Sequence, residues 1–441
     1  MTVHSKDRVS WLTKLKRIGE LSANNKRMVF NNIGHLINAD MLKEQYQRLD
    51  RNKAVGIDKV TKDAYGERLD ENINKLLKRV RRGTYRSKAA RIIEIPTESG
   101  KTRPLAISCL EDKLIQLAAS TILSKIYEPL FLPCSFGFRP GRSCHTALRA
   151  LKKSVFPNMN GAIVDIDICK YFNTIPHQVL IKLLQEKISD RRFLRLIEVL
   201  ICTPIIVGKR QINNARGCPQ GSIISPILAN IYLHHVVDAW FEKIKQSHLR
   251  GRAELIRYAD DMVFTFEYRE EAYRFYRILP KRLVKYGLEM HKGKSQIIRA
   301  GHFYAKQAHF EGKRIQTFTF LGFACYWGLA RKGFWRLKYK SRRERFTAKL
   351  KGLKKFLRKN LNAKDSNETL KTVIRVVRGW INYHNISDNQ CMVEAFIKQS
   401  KRIIFNWFNR KSQRCPMNWD RFNSIMQSIG FPKAGKTISM F

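Results

Sequence analysis

The chain has 441 residues, 44% of them hydrophobic and 11% aromatic, which excludes a disordered protein and provides apolar material for two or three domains. Lys and Arg number 84 against 36 Asp and Glu, a formal net charge of +48. Folding against that self-repulsion points to a polyanionic partner, nucleic acid ahead of an acidic membrane surface. No apolar run is long enough to span a membrane, so no membrane partner is expected. Met1 to Ile18 mixes charges without a signal-peptide core, so a soluble protein of the cytoplasm, associated with nucleoid or ribonucleoprotein, is expected. The nine cysteines show no C-x-x-C pair, which argues against structural zinc and a disulfide framework. His234-His235 lacks an H-E-x-x-H context and reads as a pair of ordinary helix residues.

Residues 7 to 50 read as helices, with Trp11, Leu15 and Ile18 on one face and Met41, Leu42, Gln45, Tyr46 and Leu49 on another. A turn at Gly56-Ile57-Asp58 precedes a basic helix over Leu69 to Arg82. Residues 91 to 108 read as a β-hairpin, with Ile92, Ile93 and Ile95 on one strand and Leu105 to Ile107 on the other. Lys101 and Arg103 stand at the start of the return strand. They are either a phosphate clamp or a solvated pair on a hairpin tip. A helix over Glu111 to Phe131 follows, then the loop Ser135 to Ser143. Its two glycines, one proline, Arg139 and Arg142 suit close approach to a backbone phosphate, and Ser143 can cap the next helix.

Residues 162 to 168, Ala-Ile-Val-Asp-Ile-Asp-Ile, alternate strictly. Period two puts Asp165 and Asp167 on one face of a strand. Carboxylates in an apolar strand are costly unless they are paired or bind metal. Gly217 to Ser222 is a glycine-rich turn carrying Gln220, placed for a base or ribose contact. Ser225-Pro226 then starts a helix as N-cap and first-turn proline, running to about Lys245. Residues Leu255 to Phe266 form a β-prone run interrupted by Asp260 and Asp261, which predicts a hairpin with Ala259, Asp260 and Asp261 near its tip. The acid pair alone is either a solvated turn or a site for a hard divalent cation. Two strands that each offer acids at one end can hold two such ions, the arrangement in-line nucleotidyl transfer needs.

A helix over Glu270 to Tyr286, the segment Gly287 to Ser295, a strand at Ile297-Ile298 and a strand over Phe318 to Phe323 complete this part. Residues 331 to 360 hold fourteen Lys or Arg and one acid, Glu344. Phe334, Trp335, Tyr339, Phe346 and Phe356 are interleaved with them, a nucleic-acid-binding signature whose alternative is a solvated basic bundle. Two amphipathic helices follow, one lined by Leu370, Val373, Val377 and Trp380, the other by Phe396, Ile404, Trp407 and Phe408.

In order along the chain, these stretches resemble the reverse transcriptase/maturase proteins encoded by bacterial group II introns. The likeness rests on Gly56 to Asp58, Ile95 to Leu105, Ser135 to Ser143, Asp165 to His177 and Gly217 to Tyr232. It continues through Arg257 to Asp261, Gly287 to Ser295, Phe320 to Phe323, and Gly379 to His384 with Asn389. The resemblance implies an α+β right-hand polymerase with fingers, a palm built on an antiparallel sheet, and a helical thumb. A helical N-terminal extension would fill residues 1–50, fingers and palm 51–330, and a basic thumb/maturase domain 331–410. Residues 411–441, with Trp419 and Lys433, would be a small DNA-binding tail. No Cys/His-rich nuclease module follows the thumb, so the likeness is expected to be to endonuclease-lacking members.

By the same resemblance, Asp167, Asp260 and Asp261 would be catalytic and, with the backbone of Ile168, would bind two Mg2+ ions, with Mn2+ as an alternative. Phe172 decides Asp167 over Asp165, because the family's ribose-discriminating aromatic stands five positions after its metal-binding acid. Lys101, Arg103, Phe172 and Gln220 would bind the dNTP, and Lys294 could protonate the leaving pyrophosphate. Arg139, Arg142, Arg331, Lys332, Lys338, Lys340, Arg342 and Arg343 are the expected nucleic-acid contacts. Implied partners are group II intron RNA, an RNA template with DNA primer, and target DNA. Two alternatives stay open: a maturase that only binds RNA for splicing, or a domesticated reverse transcriptase in phage defence or DNA repair. The chain departs from the family pattern at Lys59 (usually glycine), Thr97 (usually lysine) and Asn173 (usually aspartate).

Overall fold

The computed structural model describes residues 4–440, apart from 97–101, 156, 158–159, 209, 363–364 and 412–415. Lys101 and Thr97 therefore lie outside the described residues. Two compact units result: Met1–Ala147 with Ile163–Ile297, and Leu148–Ala162 with Ile298–Phe441. In chain order the strands are β1 (Ala90–Pro96), β2 (Thr102–Ile107), β3 (Gly161–Ile166), β4 (Ile205–Val207), β5 (Arg210–Ile212) and β6 (Ala253–Tyr258). They continue as β7 (Asp261–Phe266), β8 (Gln296–Ala300), β9 (Phe318–Phe320), β10 (Phe323–Leu329) and β11 (Trp335–Ser341).

In the first unit the 3.6-residue spacing of Trp11, Leu15 and Ile18 gives the helix His4–Asn24, which buries all three. Asn38 caps the helix Ala39–Arg48 by accepting from Met41 N–H at 2.9 Å. The expected basic helix spans Leu69–Arg81 and buries Ile73, Leu76 and Leu77. The hairpin β1–β2 is antiparallel, in register from Arg91↔Ile107 to Pro96↔Thr102. β4 joins β1 in parallel and β5 closes the sheet in the order β2-β1-β4-β5. Lys59, where the family favours glycine, holds φ at 56°, a conformation costly for a residue with a Cβ.

A second sheet has the order β6-β7-β3-β8. The sequence extends β3 to Ile168, but the strand stops at Ile166. Beyond it the backbone turns toward the segment before β8. His291 N–H donates to Asp167 O at 2.8 Å, Cys169 N–H to Glu289 O at 2.8 Å, and Lys170 sits at φ 43°. Asp167 thus projects from just past a strand end, where side chains are less crowded than in mid-sheet.

Two helix boundaries also differ from expectation. Ile224, not Ser225, holds the cap position of the helix Ser225–Leu233. The Ser225 hydroxyl instead donates to Pro219 O at 2.9 Å and ties the glycine-rich turn to the helix. The helix then widens into a π turn over His234–Asp238 before the helix Ala239–His248. Such turns gather at functional sites, and this one contains the buried Asp238.

The second unit holds the antiparallel sheet β11-β10-β9, the helix His302–Phe310 and, after β11, the helices Arg343–Lys359, Ser366–His384, Gln390–Lys411 and Trp419–Ser428. The apolar run from Phe318 to Phe323 is not one strand. Leu321 at φ 48° and Gly322 at φ 80° make it a turn between β9 and β10, and Tyr383 O–H donates to Leu321 O at 2.7 Å. The helices after β11 share a core of Leu353, Val377, Trp380, Phe396, Trp407 and Phe422, so the helix of residues 419–428 packs into the bundle. Asn389, 1% exposed, binds Ser341 and the His384 carbonyl, fastening the end of β11 to the helix. Among the described residues no helix is long and apolar enough to cross a membrane.

Candidate active site

The β6–β7 hairpin is antiparallel and closes with Tyr258 opposite Asp261, leaving Ala259 and Asp260 as its two-residue turn. Ala259 adopts φ 57°, a left-handed conformation that a non-glycine residue holds only when its surroundings impose it. Arg257 imposes it. This guanidinium is fully buried and donates from Nε to Asp238 Oδ1 at 2.7 Å and from Nη2 to Asp238 Oδ2 at 2.6 Å. The remaining bonds run from Nη1 to Asn230 Oδ1 (2.9 Å) and Ala259 O (3.1 Å), and from Nη2 to Ser135 Oγ (2.8 Å). All five guanidinium N–H groups are thereby used. Asn230 also donates to Gly137 O at 2.7 Å. Gly137 must be glycine, because a Cβ there would lie 2.4 Å from Ala259 N.

Four carboxylates gather near this turn. Asp167 Oδ2 receives Lys294 Nζ at 3.0 Å, and the Asp167 N–H donates to Ser295 Oγ at 3.1 Å. Asp165 Oδ2 receives Gln296 Nε2 at 3.2 Å. Burial raises the Asp260 carboxyl, as does the charge of Asp167, while Arg103 and Arg257 oppose the rise. Burial pushes Asp165 up to about 7; Gln296 opposes this, while Asp261 and Asp167 add to it. The acids therefore repel one another, and Lys294 supplies the nearest cation to Asp167. Among the described residues no three His, Cys, Asp or Glu side chains stand ready together as a metal-ion cage in this conformation.

The glycine-rich turn meets the same region from the other side. Gly217 at φ 84° presses on the loop after β3, where a Cβ would lie 2.6 Å from both Phe172 O and Asn173 Cα. Cys218 N–H donates to Phe172 O at 2.7 Å and Ala106 N–H to Gln220 O at 2.7 Å, so the turn bridges that loop and β2. Arg103 on β2 donates from Nε to Gln220 Oε1 at 2.7 Å. Phe172 is half-buried, edge-on to Tyr171 at 5.4 Å. Ile168 is 3% exposed and bridges to Met290.

The two loop arginines expected to contact nucleic acid both have protein partners, Arg139 more than Arg142. Arg139 is 8% exposed and bonds Glu128 Oε1 (2.9 Å), Leu132 O (2.8 Å) and Ser135 O (3.0 Å), so its guanidinium holds the loop in place. Arg142 donates to Pro133 O at 2.6 Å and lies 5.1 Å from the Phe136 ring. In the second unit Arg331, Lys332, Lys340 and Arg343 are exposed and Lys338 and Arg342 half-buried. Arg331, Lys332 and Lys338 line a cavity of about 850 Å3 that also includes Arg336 and Asp388, paired at 2.6 Å. The sequence reading missed Arg257 with Asp238 and Asn230, and the Asp165–Gln296 contact. The available signal was an arginine preceded by Leu255 and Ile256 and followed by Tyr258 in a strand where a charge needs a partner.

Residues 95–325, just over half the chain, match the family described as Reverse transcriptase (RNA-dependent DNA polymerase). The chain belongs to that family. Its α+β content fits a reverse transcriptase domain, and members generally require divalent metal ions. The Group II intron-encoded protein LtrA of Lactococcus lactis subsp. cremoris is 36% identical over 260 residues, covering 58% of this chain and 41% of that protein. A 91 kDa protein in the cob intron of Schizosaccharomyces pombe is 38% identical over 239 residues, 53% of this chain and 29% of that protein. The Nuclear intron maturase 2, mitochondrial, of Arabidopsis thaliana is 31% identical over 101 residues, 22% of this chain and 13% of that protein. The chain thus spans less than half the length of each of these relatives. The names of these relatives agree with the likeness to group II intron-encoded proteins drawn from the sequence motifs.

Proposed function

We propose that the chain is an RNA-directed DNA polymerase that also binds its group II intron RNA as a splicing maturase and supports mobility of the intron. The observation that carries this reading is the Asp260 turn: a strained hairpin tip fixed by a buried Arg257, beside Asp167 and the Arg103–Gln220 pair, in a chain of the reverse transcriptase family. In this reading residues 51–330 are fingers and palm, 331–410 thumb and maturase region, and 411–441 a DNA-contacting tail. Intron RNA, an RNA template with DNA primer, and target DNA are the partners, and +48 charges favour all three. The site of action would be cytoplasmic, with nucleoid or ribonucleoprotein.

Asp167, Asp260, Asp261 and the Ile168 carbonyl are the groups that would hold two Mg2+ ions, or Mn2+. The donor chemistry fits, since all are oxygen ligands, and burial together with the charge of Asp167 holds the Asp260 carboxyl above its ordinary value. When bound, the ions supply the charge that activates a primer hydroxyl and steadies leaving pyrophosphate. The chain's own residues do the rest. Arg103, with Lys101, binds the triphosphate as a charged donor. Gln220, oriented by Arg103, meets the nucleotide, and Phe172 stands where a 2′-hydroxyl would be sensed. Lys294, released from Asp167, gives its proton to the pyrophosphate. Primer extension by the full chain on an RNA template with dNTPs and Mg2+ tests the polymerase reading: DNA product is expected, and RNA binding without any extension overturns it.

A further inference from the structure

Away from the acids of the hairpin, the first unit brings a thiol and an imidazole together. His177 opens the helix His177–Gln185, and Cys202 ends the helix Arg191–Ile201. The two helices pack against each other and set Cys202 Sγ 3.4 Å from His177 Nδ1. The other ring nitrogen, Nε2, lies 2.7 Å from Gly217 O. A carbonyl only accepts, so Nε2 carries the hydrogen, and Nδ1 of the neutral ring turns a lone pair toward the thiol. Asn214 Nδ2 donates to the same carbonyl at 3.2 Å and helps to fix it. A thiol, a base within hydrogen-bond reach and a third group that orients the base are the signature of an activated nucleophile.

Both side chains line a cavity of about 700 Å3, a size that suits a small organic ligand. Cys202 is exposed and His177 half-buried, so a molecule in the cavity can reach the sulfur. Cys109, Cys218 and Cys325 are buried instead, as thiols that serve only packing are. Arg86, Lys182 and Arg195 also line the cavity and are exposed, and Glu198 pairs with Arg195 at 2.8 Å. Arg86 donates only to the carbonyls of Gly83 and Tyr85, and among the described residues no acid pairs with Arg86 or Lys182. The cavity therefore offers two uncompensated cations beside a nucleophilic sulfur, which suits a ligand that carries carboxylates and an electrophilic sulfur. Burial and the charge of Glu198 hold the Cys202 thiol above its ordinary value, while Arg195 opposes them. The sulfur keeps its proton at neutral pH until a base removes it, and Nδ1 is the base in place.

We propose that Cys202 is a site of modification by small disulfides that carry carboxylates, the class of oxidised glutathione, with His177 as its base and Arg86 and Lys182 receiving the carboxylates. Nδ1 takes the thiol proton, and Sγ attacks one sulfur of the disulfide. The Sγ–S bond forms as the S–S bond of the ligand breaks, and the departing thiolate takes the proton from Nδ1. Cys202 is oxidised and the disulfide reduced, so no further oxidant is needed. The proposal goes beyond the polymerase reading and does not depend on it.

The test incubates the full chain with oxidised glutathione at neutral pH, quenches with acid, and follows each cysteine by peptide mass spectrometry. Cys202 is expected to form the mixed disulfide. In His177→Gln, which keeps a donor for Gly217 O but lacks the base, its rate should fall by about tenfold or more. Cys391, exposed in the other unit, should keep its rate and serves as the internal standard. Lys182→Ala, at an exposed position, decides the matter if His177→Gln does not fold. It should slow the reaction of Cys202 with oxidised glutathione by about threefold, the weight of one exposed charge contact. The rate with the uncharged disulfide of mercaptoethanol should not change. No modification of Cys202 would overturn the proposal, as would an unchanged Cys202 rate in folded His177→Gln. Equal rates in wild type and Lys182→Ala with oxidised glutathione would remove the carboxylate site and leave a thiol without the proposed ligand class.

Discussion

Arg257 Nη1 donates to the carbonyl of Ala259 at 3.1 Å, joining a buried guanidinium to the left-handed residue that precedes Asp260. The same guanidinium holds Asp238, Asn230 and Ser135. Lysine has no planar fork and cannot reach these acceptors together. Arg257→Lys keeps the charge beside Asp238 but leaves at least two of these buried acceptors without a donor, so it is expected to lose about 2–5 kcal/mol of stability. Urea unfolding measures this. Extension activity should also fall at temperatures where the variant remains folded, because the Ala259 carbonyl loses its restraint.

Gly217→Ala places a methyl 2.6 Å from Phe172 O in a residue held at φ 84°. The turn must shift, and it carries Gln220 and supports Phe172. Single-nucleotide incorporation should show a KM for dNTP raised by about tenfold or more, with a smaller change in kcat. An unchanged KM would mean that the turn does not set the nucleotide site.

Lys294 lies 3.0 Å from Asp167 Oδ2 and is largely exposed. As the proton donor to pyrophosphate, it should contribute to the chemical step rather than to nucleotide affinity. Lys294→Ala is expected to lower kcat by about 10²–10⁴-fold, within the usual range for general acid catalysis, and Lys294→Arg, which keeps the charge but does not give up a proton, should recover little of it. Rapid-quench incorporation kinetics separate these effects, and an unchanged chemical rate in Lys294→Ala would remove the assigned role.

Asp112 gives a pH prediction away from the acids of the hairpin. It is 1% exposed, accepts from Tyr85 O–H and Lys88 N–H, and burial pushes its carboxyl up from 3.8 to about 6. An acid whose folded pKa is raised stabilises most below its unfolded value, and that contribution fades as pH rises through 6. The stability of the wild type relative to Asp112→Asn should therefore fall by about 2–3 kcal/mol between pH 4 and pH 7. Denaturant titrations of both proteins across that range provide the check. A difference independent of pH would contradict the raised carboxyl.

What the sequence revealed followed local pattern. The β6–β7 hairpin was legible because Leu255 to Phe266 is apolar except at the acids, and helices such as Leu69–Arg81 followed their spacing. Arg257 was not legible as a support, because its partners Asp238 and Ser135 lie 19 and 122 residues away. Arg139 misled for a related reason. A glycine-proline loop with arginines suits phosphate, but here Glu128 and nearby carbonyls take the guanidinium. The β9–β10 turn was hidden because Leu321 and Gly322 sit inside an unbroken apolar run, and only their positive φ reveals the reversal. The company of Asp167 and Asp260 was legible from two acid-bearing strands and the family likeness, whereas the Arg103–Gln220 pair, 117 residues apart in sequence, was not.

The most direct test of the central claim is primer extension on an RNA template by Asp260→Ala beside the wild type, with RNA binding measured on the same preparations. Removing a carboxylate that holds catalytic charge should cost several kcal/mol, so extension is expected to drop by about 10³-fold or more while RNA affinity stays within about twofold. Extension by Asp260→Ala at the wild-type rate would contradict the assignment of this hairpin turn as the catalytic centre.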